Sequence, residues 1–302
     1  MKTALITGGS AGIGKETARA LAGKGYAVII AARDARKGNA VVDAIKAEHP
    51  AATVEFVALD LSRFADVRAF ASTIRSRWNH IDALVLNAGL FTPKLFTSES
   101  GHEFMFATTH LGHFLLTHEL LPLVRASSAG RIVVTSSAGH FVGKMIDFFS
   151  FETPSSSTAL LAVPFLNYGR AKLCNLLFVR SLAQRLAGTG IRVNAFHPGA
   201  VKTEIWRGTP PLFNRLVFPF MVSEATGAQT QIYLATEPSL SVSGEYWVNK
   251  QVARSSTASR DPELARQLWE YSERTLGISQ FGVPSDNPAA RVQDNTAASL
   301  IV

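Results

Sequence analysis

Cysteine is almost missing: Cys174 is the only one in 302 residues. A single thiol excludes an internal disulfide, points to a reducing compartment, and reads as a small apolar residue of the core. Long apolar runs are missing as well. None approaches the roughly eighteen residues that cross a bilayer, and the apolar core at Ala4 to Ile6 is too short for a signal peptide; a cytoplasmic location is expected. No dense Lys/Arg block accompanies the formal charge of +7. The surplus therefore reads as a solvated basic surface plus a site for an anionic cofactor, rather than a nucleic-acid surface. Internal repeats and composition shifts are absent too, so nothing divides the chain into domains.

What is present has a rhythm. Hydrophobic residues make up 47% and charged ones 18%, the balance of an ordinary soluble globular protein. Short β-branched and apolar runs at Ala4 to Thr7, Ala27 to Ala31, Val54 to Leu59, Ala83 to Leu86, Ile132 to Thr135 and Val193 to Phe196 read as buried parallel strands. Between them, Ile13 to Lys24, Val67 to Trp78, Leu111 to Val124, Lys172 to Leu186 and Ala225 to Ala235 carry apolar residues at helical spacing. The alternation predicts an α/β fold, a doubly wound parallel sheet in one domain over residues 1–280. A seventh strand is expected at Glu245 to Val248, and a last helix is expected to start at Asp261-Pro262 and end near Gly277. Residues 281–302 read as a mobile tail.

Thr7 to Thr17, "TGGSAGIGKET", follows the first strand and opens the first helix. As a mononucleotide P-loop it fails at Glu16, which stands where a Mg²⁺-binding hydroxyl is needed; as the G-x-G-x-x-G fingerprint it matches Gly12 and Gly14 and ends on Thr17. Its placement before a helix N-terminus still suits a pyrophosphate. At the end of the second strand stands Arg33-Asp34. Arg33 facing the ribose would pair with a 2′-phosphate and select NADP(H), with NAD(H) the lesser candidate; the alternative is Asp34 as the ribose ligand with Arg33 beside it. Tyr168 and Lys172 lie four apart, on one helical face. A phenol of ordinary pKa about 10 needs roughly 4 kcal/mol of preferential phenolate stabilisation to act as a base near neutrality. A neighbouring ammonium and an oxidised nicotinamide would supply much of it.

Taken together, Thr7-Gly8-x-x-x-Gly12-x-Gly14, Asn87-Ala88-Gly89, Ser136-Ser137, Tyr168-x-x-x-Lys172 and Pro198-Gly199 resemble the short-chain dehydrogenase/reductase family, in its order, from the first strand to about Gly277. "HLGHFLLT" at His110 to Thr117, "YGRAKLCNLLF" at Tyr168 to Phe178 and "LWEYSE" at Leu268 to Glu273 are similar to its retinol-dehydrogenase-like branch. The resemblance implies a Rossmann-like fold and hydride transfer between NAD(P)(H) and a lipophilic alcohol/carbonyl pair. Tyr168 would be the general acid/base, Ser137 would hold the same oxygen, and Lys172 would hold the nicotinamide ribose and depress the Tyr168 pKa. Coenzyme contacts are implied for Gly8, Ser10, Gly12, Ile13 and Gly14, for Arg33, Asp60 and Leu61, for Asn87, Ala88 and Gly89, for Tyr168 and Lys172, and for Pro198, Gly199 and Thr203. The family also implies possible homodimer pairing through helices corresponding to His110 to Val124 and Lys172 to Leu186.

Two departures stand out. Thr109 occupies the slot of the family's relay asparagine, and a hydroxyl does not offer an amide's donor and acceptor together. The segment 138–167 is long, containing Phe148, Phe149 and Phe151, and reads either as a cap on the substrate pocket or as a surface excursion. The apolar stretch Leu212 to Val222 suits a substrate lid, with a subunit interface or peripheral membrane contact as alternatives. His102, His110, His113 and His118 lack zinc-site spacing, so no metal is expected. Two other functions stay open: a protochlorophyllide-reductase-like enzyme, for which Cys174 alone gives little support, and a dinucleotide-binding regulator that has lost catalysis.

Overall fold

The computed structural model describes residues 1–93, 95–143, 162–202 and 221–284. Its strands are β1 (Thr3–Thr7), β2 (Ala27–Ala32), β3 (Val54–Ala58), β4 (Ala83–Leu86), β5 (Arg131–Thr135), β6 (Arg192–His197), β7 (Tyr246–Val248) and β8 (Gln251–Val252). They form one sheet in the order β3-β2-β1-β4-β5-β6-β7-β8. Every pair is parallel except β7 with β8, a hairpin turned by Asn249 and Lys250, both at positive φ. The helices are α1 (Gly12–Gly23), α2 (Ala35–Glu48), α3 (Phe64–Arg77), α4 (Gly112–Arg125), α5 (Ala162–Arg185), α6 (Glu224–Thr236) and α7 (Pro262–Leu276). A π-turn, Ala107–Leu111, leads into α4.

Side chains of alternate strand residues pack on opposite layers, as the period of a strand requires. Leu5, Ile29 and Ala31 pack with Phe70 of α3, Leu116 of α4, Leu173 of α5 and Trp269 of α7. Ala4, Ile6, Val28 and Ile30 face the other way, onto Leu21 of α1, Ile45 of α2 and Leu234 of α6. With both faces covered, the strands must be apolar throughout, which is why their sequences are continuous apolar runs. The chain winds outward from β1 to β3, then returns to build β4 on the other side of β1. That reversal opens a crevice at the carboxyl ends of β1 and β4, where ligands of such sheets bind.

The expected elements are found, with corrections at their edges. Helix α2 has no counterpart among the helical segments read from the sequence, and α5 begins at Ala162 rather than Lys172. Asp261 caps α7 through the backbone N–H groups of Glu263 and Leu264, and Gly277 ends it at φ 63°. The packed chain continues past residue 280: Phe281 lies with its ring centroid 4.8 Å from that of Phe114 and 4.6 Å from that of Trp269, and the Gly282 N–H donates to His118 Nδ1. Nearly every side chain of α4 is buried within the chain, with Trp269 against Phe114 and Phe178, and Phe281 against Phe114. The 144–161 part of the insertion, the apolar stretch 208–220, Thr203 and residues 285–302 lie outside the described residues. Among those described, no helix is long and apolar enough to cross a membrane.

Candidate active site

A cavity of about 950 Å³ fills the crevice at the carboxyl ends of the strands. One wall is the first loop. Gly8 and Gly12 sit at φ 66° and 58°, a region that only glycine enters without cost. A Cβ on Gly14 would stand 2.5 Å from Gly8 O and 2.5 Å from Asn87 Nδ2, so α1 packs this closely on the loop only because position 14 has none. Helix α1 has Ala11 at its N-cap and no side-chain cap, which leaves its first N–H groups for a ligand in the cavity. Lys15 is bound elsewhere, 3.0 Å from Glu224 and 3.4 Å from Glu16. The P-loop reading thus lacks its lysine as well as its hydroxyl, whereas an uncapped helix start over a glycine loop fits a dinucleotide pyrophosphate.

At the far end of the cavity, Arg33 and Lys37 line the wall with Ala31, Ala32 and Asp34. Asp34 is the N-cap of α2, its Oδ1 accepting from the Lys37 N–H at 3.0 Å, and that bond holds its carboxyl below the ordinary range. One oxygen of Asp34 is thus committed to the helix end, with Arg33 beside it on the same wall. Asp60 is engaged in a similar way. Its Oδ1 accepts from Ser62 N at 2.9 Å and Ser62 Oγ at 2.7 Å, and the wall here is formed by Leu59 and Leu61, not by Asp60. Asn87 lines the cavity and is also tied to the protein. Its Nδ2 donates to Thr7 O at 2.9 Å, while Gln231 of α6, itself fully buried, bonds Asn87 Oδ1 and the Thr17 hydroxyl. Ala88 and Gly89 line the cavity beside it, as do Ser10 and Ile13 opposite and Pro198 and Gly199 after β6.

The inner end gathers the expected reactive groups. Ser137 follows β5 and caps the 3₁₀ turn Ala138–Phe141, while Tyr168 and Lys172 project from one face of α5. Ser136 serves structure, its Oγ donating to Lys172 O at 2.9 Å and so fixing α5 to the end of β5. Lys172 Nζ donates to Thr135 O at 3.1 Å and lies 5.6 Å from the centroid of the Tyr168 ring. Burial pulls the Lys172 ammonium down to about 8. Burial pushes the Tyr168 phenol above its ordinary value, against a smaller downward pull from the Ser137 hydroxyl. Protein groups alone therefore favour the protonated phenol, the form that donates.

Thr108, not Thr109, lines the cavity. Thr109 is buried, and its Oγ1 has no hydrogen-bond partner among the described residues; it and Lys172 Nζ flank Gly89 at 3.9 Å and 3.0 Å from where a Cβ would stand. The histidines have structural neighbours. His110 bonds Ser272 Oγ at 3.0 Å within a cage of Phe106, Phe114 and Phe178, and His140 bonds Ser137 O at 2.6 Å while its Nε2 accepts from the Ser256 N–H.

Sequence reasoning missed Phe91 and Phe165, which stack at 4.6 Å on the cavity wall beside Tyr168. Phe165 stands three residues before Tyr168, so the spacing of one helical turn would have found it had α5 been extended toward its N-terminus. It also missed Lys37, which sits on the unread α2.

Known proteins resemble this chain over most of its length. The short chain dehydrogenase family profile matches residues 2–146, and that of enoyl-(acyl carrier protein) reductase matches residues 153–245. Retinol dehydrogenase 12 of Mus musculus is 39% identical over 92% of this chain and 87% of its own length. Dehydrogenase/reductase SDR family member 13 of Homo sapiens is 35% identical over 99% of this chain and 80% of its own. Among solved structures, an uncharacterised protein of Mycobacterium paratuberculosis superposes with a TM-score of 0.73 at 31% identity, covering 94% of this chain and 96% of that one. The NADP complex of RhlG from Pseudomonas aeruginosa superposes at 0.65 with 25% identity, covering 81% and 93%.

Proposed function

The chain belongs to the short-chain dehydrogenase/reductase family, in its retinol-dehydrogenase-like branch, and from that premise we propose that it uses NADPH to reduce a lipophilic aldehyde or ketone. It is an oxidoreductase of CH–OH and C=O groups. The observation that carries the finer reading is the convergence of Ser137, Tyr168 and Lys172 at one end of a cavity whose other end holds Arg33 and Lys37. The coenzyme, when bound, supplies the hydride to the carbonyl carbon. The protein's part is to hold the carbonyl oxygen between the Ser137 hydroxyl and the Tyr168 phenol and to give that oxygen the phenol's proton as negative charge develops on it. Lys172, with its pKa lowered by burial to about 8, stands ready to pass a proton back toward the phenolate side at neutral pH. The panel test is direct: NADPH consumption with apolar aldehydes and ketones, repeated with Tyr168→Phe. Tight NADPH binding with no Tyr168-dependent turnover on a broad panel would leave the dinucleotide-binding regulator, whose one favouring observation is the unpartnered Thr109 hydroxyl.

Coenzyme choice follows from charge. Arg33→Ala removes a charge-assisted hydrogen bond worth about 1.5–3 kcal/mol, so NADPH affinity should fall about 10- to 100-fold while NADH affinity changes little. Titrating both coenzymes by fluorescence checks this, and an equal loss for the two would remove the 2′-phosphate from the argument. Substrate class follows from the aromatic wall. Phe165 is 37% exposed and so is dispensable for the core. Phe165→Ala should raise the KM of a long apolar aldehyde about tenfold, in line with the 1–3 kcal/mol that a lost apolar wall costs, and leave a two-carbon aldehyde unaffected. Equal effects on both substrates would place the apolar contacts elsewhere.

A further inference from the structure

His113 is fully buried on the first turn of α4, away from the cavity lining, and has two polar partners. Its Nδ1 lies 3.0 Å from Thr109 O and its Nε2 lies 2.9 Å from Thr7 Oγ1. A carbonyl oxygen only accepts, so Nδ1 carries the proton and Nε2 must accept from the Thr7 hydroxyl. That hydroxyl in turn accepts from Asn87 N at 2.9 Å and Ala88 N at 3.0 Å, and Val85 O, at 3.4 Å, is a longer alternative acceptor for its proton than His113 Nε2. Burial keeps the imidazole neutral, with a pKa lowered to about 4, so this arrangement persists across the physiological range. The chain of bonds runs from the end of β1, through the turn after β4, to the π-turn.

The π-turn is itself part of the cavity's construction. Its backbone ladder slips by one residue, the Gly112 N–H bonding Ala107 O, and such slips gather at functional sites. Thr108 within it lines the cavity, and Gly112 after it presses against the Leu61 backbone, where a Cβ would be 2.2 Å from the carbonyl oxygen. The side chain at 109 makes no tie of its own.

We infer that His113 is a positioning residue for this site: as the Nδ1–H imidazole it straps the Thr109 carbonyl to the Thr7 hydroxyl, setting the π-turn in register with the coenzyme loop and the Asn87-Ala88-Gly89 turn. The strap does the tying that the Thr109 hydroxyl does not. It deepens the proposed function and rests on it in that the register it sets is that of a coenzyme site.

The test is a double-mutant cycle on the full chain with NADPH and an apolar aldehyde. His113→Phe keeps the volume and removes both bonds; Thr7→Val removes the hydroxyl and keeps its shape. Each is expected to lower kcat about 10- to 100-fold, the range of a reacting group misplaced by about an ångström, and to weaken NADPH, with the aldehyde KM nearly unchanged. The double variant should be no worse than the poorer single one, because both break one chain of bonds. Thr7→Ser, which restores the hydroxyl, should recover most of the loss, and His113→Asn, which keeps a donor near the Nδ1 position, should fall between. Multiplying effects, or a His113→Phe variant within about twofold of wild type in both kcat and NADPH affinity, would overturn the strap. If His113→Phe does not fold, His113→Asn against Thr7→Val gives the same cycle. A wild-type chain that binds no NADPH overturns both readings; one that binds it without Tyr168-dependent turnover overturns the catalytic reading alone, and the cycle is then read on NADPH affinity.

Discussion

Tyr168→Phe is expected to lower the rate of carbonyl reduction about 10²- to 10⁴-fold, the usual worth of a positioned proton donor, while NADPH affinity stays within about threefold. The reasoning is local. The substitution deletes one oxygen from a side chain that is held in place by packing, with the Phe91 ring edge-on at 6.1 Å, so the cavity keeps its shape. What is lost is the only phenol among the described residues lining the cavity, and burial has already biased that phenol toward its protonated form. The Ser137 hydroxyl remains and still supports the oxygen, which is why some rate survives. Single-turnover measurements with NADPH in excess separate the chemical step from binding. A variant that keeps more than about a tenth of the wild-type rate would mean that water or another side chain delivers the proton, and the role assigned to Tyr168 would be withdrawn.

Glu119→Ala should destabilise the folded chain by about 3–5 kcal/mol, the cost of stranding buried charge. Glu119 on α4 is 1% exposed and accepts from Arg68 at 2.8 Å and from Arg75 at 2.6 Å, both arginines reaching across from α3. Arg68 also donates to Leu276 O at 2.7 Å, at the last turn of α7. One carboxylate therefore holds α3, α4 and, through Arg68, the end of α7 together. Its removal leaves two guanidinium groups without their shared counter-charge in a nearly closed space. Urea unfolding followed by circular dichroism measures the change, with the m-value as a check on the transition. A loss below about 1 kcal/mol would show that solvent at the partly exposed arginines screens the attraction, as it does for exposed pairs.

Much of this site was legible in the sequence because its chemistry is local in the chain. Tyr168 and Lys172 meet by helical spacing, and the Thr7 to Thr17 loop carries its glycines in one stretch, so periodicity and turn chemistry were enough. The misses have physical reasons. Helix α2 buries only Gly38, Val41, Val42 and Ile45, too thin a stripe to stand out from its polar face. The start of α5 is obscured by Pro164, which reads as a break but lies within the first turn, where its missing N–H costs nothing. The β7–β8 hairpin turns on Asn249-Lys250, with a lysine at positive φ where glycine is the usual signal. The hydrogen bonds of Asp60 and Asp34 to their own turn and helix end were not legible, because backbone geometry makes them. The strap through His113 joins residues separated by 106 positions, and no local pattern encodes that.

The covering of α4 and α5 by Trp269 and Phe281 also bears on how the chain is made. Ribosomal synthesis delivers the strands and both of these helices before it delivers their lid, so for an interval the nascent protein carries a bare stripe of phenylalanine and leucine that nothing yet shields. The sequence that seals the greasy flank thus arrives after the pocket-forming segments, and a stop codon ahead of Trp269 would release a chain with its reactive groups encoded but its flank uncovered, ready substrate for chaperones.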